Sequence, residues 1–328
     1  MFKFRINTNE KSASQSDILI EIERLVSYIL KNQHNIIMGN KCTAKNNSFD
    51  EEFYKGFCEA WPKYVSVYSS MHDYSELIEA FWRACEDSIP MVFQKQYVNT
   101  NHQICHFTFD QVMAIVSSTV RHIQDRDIKR KSYDRSFSVK KNQATLDTFV
   151  RMLIQKYRKL LVVRVDYAYS DETMNLIGID ELYRDLESLN KDKHTHASFK
   201  NLVGNAWAIE QGERKGYHIH AVYFFDGNKS NRDMYFAKQF GQLWKSITKG
   251  MGYYYNCNAD KMIHAEKGTL GIGMILSHDR ESCENAIKAI GYLADPTKEF
   301  QYLRMKPCGR KTFATGMTVK TRKKIIRK

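Results

Sequence analysis

The densest run of chemically capable side chains is WAIEQGERKGYHIHAVYFFDG, residues 207–227. Gly212 and Gly216 flank the polar triplet Glu213-Arg214-Lys215, which predicts two strands, about 205–211 and 217–225, joined as an antiparallel hairpin. If the turn is symmetric about Arg214, Glu210 lies directly opposite His218, and Ala208 opposite His220. Directly opposed side chains have Cβ atoms roughly 4.5–5.5 Å apart. Residues two apart on a strand point to one side, so Glu210, His218 and His220 converge on one face. Two imidazoles and a carboxylate suit a divalent ion with open positions, Mg²⁺, Mn²⁺ or Zn²⁺. Such an ion can take a phosphate oxygen as a ligand and act as a Lewis acid. Trp207, Ile209, Ile219, Ala221, Tyr223 and Phe225 form the opposite, packing face. Ala206 and Ala208, on the ligand face, are expected to leave space beside the metal. A second His-x-His, His194-Thr195-His196, stands in a polar loop without an apolar partner face, and is read as solvent-exposed.

A metal that polarises phosphate calls for a nucleophile. The segment ESCENAIKAIGYLA, 281–294, predicts a helix in which Ile287, Ile290 and Leu293 pack inward. Glu284, Lys288 and Tyr292 are four apart and form another stripe, so Tyr292 can present its hydroxyl to the sheet. A cation beside a phenol favours the nucleophilic phenolate. Tyr292 is one of 19 tyrosines; its place after the histidine pair singles it out, with Tyr302 as the second candidate. Asp166 is either a further member of the metal site or a structural group.

The elements that must position these groups are legible in outline. LLVVRVDYAY, 160–169, reads as a strand with Leu161, Val163, Val165 and Tyr167 on one face and Arg164 and Asp166 on the other. Helices are expected at about 16–33, within 48–86, at 109–123, 144–158, 179–189 and 231–247. Phe53, Tyr54, Phe57, Trp61, Leu77, Ile78, Phe81 and Trp82 read as core packing. The charged stretch 124–142, QDRDIKRKSYDRSFSVKKN, has little apolar periodicity and is read as a basic linker or exposed arm. The chain then divides into a mostly helical N-terminal region, 1–145, a catalytic domain, 146–318, and a basic tail, 319–328. The fold class is α+β: a central antiparallel sheet flanked by helices, with the working site on a sheet face. The N-terminal region is expected to position duplex DNA or to mediate self-association.

The order of these groups resembles the HUH endonucleases: an early hydrophobic strand, Glu210…His218-Ile219-His220, then a tyrosine on a later helix. More narrowly, WAIEQGERKGYHIHAVYFFDG, GQLWKSITKGMGYYYNCN (241–258) and AIGYLAD resemble the replication initiators of filamentous phages (inoviruses) and their prophage relatives. The resemblance spans roughly 155–318 and leaves out 1–140. It implies that Glu210, His218 and His220 bind a divalent metal, Mg²⁺ or Mn²⁺, and that Tyr292 attacks a phosphate of single-stranded DNA. The products would be a 5′-phosphotyrosyl enzyme and a free 3′-hydroxyl that primes rolling-circle replication. Replication origin DNA, a host helicase and a polymerase are the implied partners. Such families often place a lysine one turn after the tyrosine, where this sequence has Asp295 and then Pro296. Lys288 and Lys298 are the remaining candidates for the positive charge. Other activities fit parts of the pattern: a transposase of the same chemistry, a decayed origin-binding or regulatory protein, and a metal hydrolase of small substrates.

Composition agrees with a nucleic-acid partner. Lys and Arg number 50 against 37 Asp and Glu, a net charge of +13 over 328 residues, which favours a polyanion through steering and counterion release. No apolar run reaches the roughly 18 residues that span a bilayer, and the polar N-terminus does not read as a secretory signal. Seven cysteines with no CxxC pair argue against a disulfide framework and a zinc knuckle. The expectation is a cytoplasmic protein with reduced thiols and no membrane partner.

Overall fold

The structure is a computed structural model, and it describes residues 13–38, 47–89, 107–193, 195–294 and 301–317. The chain divides into two compact units, Met1–Arg135 with Arg304–Cys308, and Ser136–Leu303 with Gly309–Lys328. The division at 135/136 lies ahead of the expected boundary at 145.

The first unit is helical. Helices α1 (Gln15–Met38), α2 (Asn47–Val65), α3 (Glu76–Ser88) and α4 (Phe109–Ile123) bury Leu19, Ile22, Leu25, Phe57, Trp61, Phe81, Trp82, Ile115 and Val116 in one core. The aromatic stripe of 53–82 is therefore packing, as its helical spacing predicts; Trp61 and Trp82 meet edge to face at 6.5 Å between centroids. A buried carboxylate, Glu21, is compensated inside this core. Lys63 Nζ lies 2.7 Å from it and Tyr64 Oη donates to it at 2.9 Å, as a desolvated charge requires. The chain returns to this unit far downstream. Strand β1 (His72–Tyr74) pairs antiparallel with Met305–Pro307, and buried Arg304 donates from Nε to Glu23 at 2.6 Å.

The segment read as a linker is helix. α5 runs unbroken for 31 residues, Arg126–Lys156, so it absorbs most of 124–142 and all but the end of 144–158. The stretch holds neither glycine nor proline, and charges four apart pair along it, Arg130 with Asp134 at 3.5 Å and Arg151 with Asp147 at 3.0 Å. Long polar side chains are good helix formers. The missing apolar period reports that residues 136–145 are mostly exposed, not that they lack structure.

The second unit is built on a six-stranded antiparallel sheet. Its strands are β2 (Lys159–Tyr169), β3 (Leu202–Gly212), β4 (Gly216–Asp226), β5 (Gly252–Asn256), β6 (Gly273–Leu276) and, after β7 (the Met305–Pro307 strand of the first unit), β8 (Phe313–Met317). The order across the sheet is β5-β2-β4-β3-β8, and β6 pairs with the start of β2 alongside β5. A short helix, α8 (Lys261–Glu266), follows β5, and helices α6 (Ile179–Asp192) and α7 (Asp233–Ile247) belong to one face. There Tyr223 meets Phe240 at 4.6 Å, Phe225 stacks on Phe236 at 4.9 Å, and Tyr167 meets Trp244 at 5.2 Å.

The other face is covered over part of its area. Leu146, Phe149, Val150 and Leu153 of α5, and Ala286 and Ile290 of α9 (Arg280–Gly291), join Leu160, Val162, Val222 and Phe224 of the sheet in a second core. Helices thus flank the sheet on both faces, in agreement with the expected α+β class. Ala206 and Ala208 belong to this core; their small side chains admit neighbouring groups and do not leave open space. The close approach of α9 to the segment leading into β6 depends on Gly271, where an added Cβ would lie 2.2 Å from the Asn285 carbonyl oxygen. Among the described residues no helix is long and apolar enough to cross a membrane.

Candidate metal centre and its tyrosine

The hairpin has the register that its turn predicts. Gly212 pairs with Gly216, Glu210 with His218, and Ala208 with His220. Gly216 takes φ +56°, a left-handed conformation that glycine adopts without strain. One ligand atom from each of Glu210, His218 and His220 lies within 4.8 Å of the others, and all three residues are buried. This cluster could hold a metal ion.

Each imidazole is oriented by a second contact. His218 Nδ1 lies 3.1 Å from the Gly216 carbonyl oxygen. A carbonyl only accepts, so Nδ1 donates there, and Nε2, 3.5 Å from Glu210 Oε2, is turned toward the cluster. His220 stands between two carboxylates, Nε2 at 3.2 Å from Glu210 Oε2 and Nδ1 at 2.8 Å from Asp166 Oδ1. The Asp166 contact is close enough for charge pairing, but the ring is not aligned for a linear hydrogen bond. A histidine with a carboxylate behind one nitrogen and the other nitrogen turned to a second ligand residue, here Glu210, is a usual setting of a metal-binding imidazole. The donor set of two imidazole nitrogens and one carboxylate fits a divalent ion and leaves positions for exogenous oxygen. Asp166 is therefore an orienting carboxylate behind His220, placed there because β2 pairs Asp166 with His220.

Electrostatics tie these groups together. Burial alone would raise the Asp166 carboxyl, but His220 and Arg164 overrule it and hold it at about 2. Burial pulls the His220 imidazole down, yet Asp166 and Glu210 together raise it above its ordinary value. Raised in the fold, this histidine contributes stability that is complete below its unfolded value of about 6.5 and is lost as pH rises through the folded value. Asp166 contributes stability present above its unfolded value of about 3.9 and lost as pH falls toward the depressed one. A metal competes with the proton for His220 Nε2. The metal-free protein is therefore expected to lose thermal stability over the range that begins above the unfolded histidine value of about 6.5 and rises through the folded one. Mn²⁺ should raise Tm more at the alkaline end of that range. Melting curves with Mn²⁺ or EDTA across the range check this; a Tm increment independent of pH would remove His220 from the ligand set.

Tyr292 stands at the end of α9 in a 3-10 turn, Tyr292–Ala294, and not within the helix. Its backbone N–H reaches the carbonyls of Lys288 and Ile290. Ile290 and Leu293 are buried, as their spacing predicts, which leaves Tyr292 45% exposed. Among the described residues a cation set against its ring is Arg164 of β2, whose guanidinium carbon is 5.7 Å from the ring centroid. Arg164 Nε also donates to Asp166 at 3.3 Å. One chain of contacts therefore runs Tyr292–Arg164–Asp166–His220–Glu210. Sequence reasoning sought the positive charge near Tyr292 along its own helix. Lys288 is exposed on α9, and Lys298, with Asp295 and Pro296, lies outside the described residues. The signal for Arg164 was present in the alternation of β2, which puts Arg164 and Asp166 on the face that carries the histidines. Tyr302 is half-buried and His196 exposed; His194 and the tail 319–328 lie outside the described residues. The free cysteines Cys58, Cys85, Cys257 and Cys283 are buried, in keeping with small packing residues.

The comparisons with curated proteins and with solved structures return no match. A family model does match, the YagK/YfjJ C-terminal domain, over residues 121–308. That span takes in the end of α4, all of α5, β2 to β6, α9 and the returning strand β7, and with them Arg164, Asp166, Glu210, His218, His220 and Tyr292. With more than half of its 328 residues matched, the chain belongs to the YagK/YfjJ C-terminal domain family, a family found in prophage-type proteins.

Proposed function

We propose that this chain is a metal-dependent enzyme that nicks and rejoins single-stranded DNA through Tyr292, acting as a rolling-circle replication initiator. The observation that carries the reading is the unbroken series of contacts from Tyr292 through Arg164 and Asp166 to the Glu210–His218–His220 cluster. It brings a phenol, a guanidinium and a metal-ligand set to one sheet face, and these are the parts a phosphoryl transfer needs. A divalent ion bound there would polarise the scissile phosphate and offset its charge.

The residues divide the work. Glu210, His218 and His220 hold the ion, and Asp166 fixes the His220 ring. Tyr292 Oη gives up its proton and bonds to phosphorus; the bond from phosphorus to the 3′ oxygen breaks. That oxygen takes a proton and leaves as the 3′-hydroxyl, while the 5′ phosphate stays on the tyrosine. The phosphoester count is unchanged, so attack by a 3′-hydroxyl on the phosphotyrosine rejoins the strand. Arg164 faces the charge that develops on the phosphoryl oxygens.

The test is a covalent one. Protein is mixed with end-labelled single-stranded DNA from its own replicon, with Mn²⁺ or with EDTA, and resolved on a denaturing gel. A metal-dependent protein–DNA band is expected. Tight binding without a band in either condition would reject the enzyme and leave a DNA-binding protein. A band formed on terminal hairpins in preference to an origin would make the enzyme a transposase.

Arg164→Met, which keeps bulk and removes charge, is expected to slow adduct formation on the order of 10²-fold, as loss of one charge-stabilising donor does. DNA affinity should change far less, and single-turnover rates at saturating DNA separate the two. An Arg164→Met rate equal to wild type would return the role to a lysine.

A further inference from the structure

We infer that the β5 edge of the sheet is a stacking platform for the bases of a single strand, built from Tyr253 and Tyr255. The inference rests on the proposed single-stranded DNA substrate and names where that strand lies. Strand β5 carries three consecutive tyrosines, and alternation gives them different surroundings. Tyr254 packs on α7, where a Cβ added to Gly241 would come within 2.3 Å of its ring. Tyr253 and Tyr255 point to the other face and stay 52% and 44% exposed. An edge strand that needs only to close a sheet gains nothing from two bare aromatic rings, which cost solvation. Every base has a π-face, and exposed aromatics in a positive setting are the usual means of holding single strands without reading sequence.

Register places the two rings against the centre. Tyr255 is paired with Asp166, Asp166 with His220, and His220 with Ala208. These residues form one row across four strands, so Tyr255 stands two strand spacings, roughly 10 Å, from His220. Tyr253 lies two residues farther along β5, about 7 Å on at the usual strand rise. Arg164, two residues before Asp166 on the same face, completes a line Tyr292–Arg164–Tyr255–Tyr253. Charge is favourable: Arg164 lies on the face that carries Tyr255, on a chain of net charge +13, while Lys245 lies over Tyr254 on the opposite face. Tyr255 Oη donates to Asp260, which steadies the ring while leaving its face bare.

The test uses the full chain and a fluorescent oligothymidylate of about 16 nucleotides, the upper site size for such surfaces. Tyr253→Ala and Tyr255→Ala are each expected to weaken binding roughly tenfold, a middle value for loss of one stacked base. Tyr255→Phe, which loses the hydroxyl and keeps the ring, should stay near wild type. Binding of a duplex of equal length, whose bases are already stacked, should change little in all three. The metal-dependent adduct should still form in each variant at saturating DNA. Wild-type affinity in both alanine variants, with the adduct intact, overturns the platform and leaves the nicking reading standing. Equal losses on single strand and duplex also overturn it, since they would assign the rings to backbone binding. A wild-type protein that neither binds the oligomer nor forms an adduct overturns both.

Discussion

Tyr292→Phe should form no covalent adduct with single-stranded DNA, a loss on the order of 10⁴-fold or more, because the bond to phosphorus has no other oxygen to form through. The change removes one oxygen from a residue that is 45% exposed, so fold and DNA affinity are expected to be kept. The ring remains, and with it the stacking against Arg164, 5.7 Å from the centroid. Persistence of the band in Tyr292→Phe would keep the reaction and move the nucleophile, with Tyr302 next to be substituted. Loss of the band together with loss of DNA binding would point instead to a structural or recognition role for the phenol. The discriminating readout is therefore the ratio of adduct to bound DNA, taken on one sample by denaturing and native gels.

The parts of the site that could be read in the sequence are those fixed by short-range geometry. A tight turn between two glycines determines which residues face each other, and period-two alternation determines the side each takes. From these alone Glu210 falls opposite His218, and His220 on the same face. Alternation likewise separates Arg164 and Asp166 from Leu161, Val163 and Val165. It does not say which strand becomes the neighbour of β2, so the meeting of Asp166 with His220 and of Arg164 with Tyr292 depends on pairing across about 55 and 130 residues of chain. The polar middle of α5 hid its helix, since an exposed helix has no apolar face to register. The returning strand Met305–Pro307 is three residues long and carries no alternation that could announce it. The same shortness hid β8, whose pairing with β3 sets Phe313 beside Ala208, against the core that the sequence suggested was open space.

The two histidines, alike in sequence, are expected to respond unequally to substitution. His218→Ala should weaken Mn²⁺ binding and slow adduct formation roughly 10³-fold, as loss of a ligand to a charge-stabilising ion costs several kcal/mol. Its stability cost should be small, because His218 faces one carboxylate and donates to a backbone carbonyl at the turn. His220→Ala removes the one imidazole that stands between Glu210 and Asp166. Asp166 retains Arg164, but the two acids then lose their shared cationic partner in a buried site. Loss of a partner that leaves a buried charge poorly compensated costs about 3–5 kcal/mol, so His220→Ala should unfold at lower denaturant concentration than His218→Ala. Adding Asp166→Asn to His220→Ala removes one of the stranded charges and should recover part of that stability without recovering metal binding. Urea melts of the three variants in EDTA, set beside Mn²⁺ titrations, separate the roles. Equal melts for His218→Ala and His220→Ala would show that Asp166 does not depend on His220, and would undo the carboxylate–histidine arrangement on which the metal centre's orientation rests.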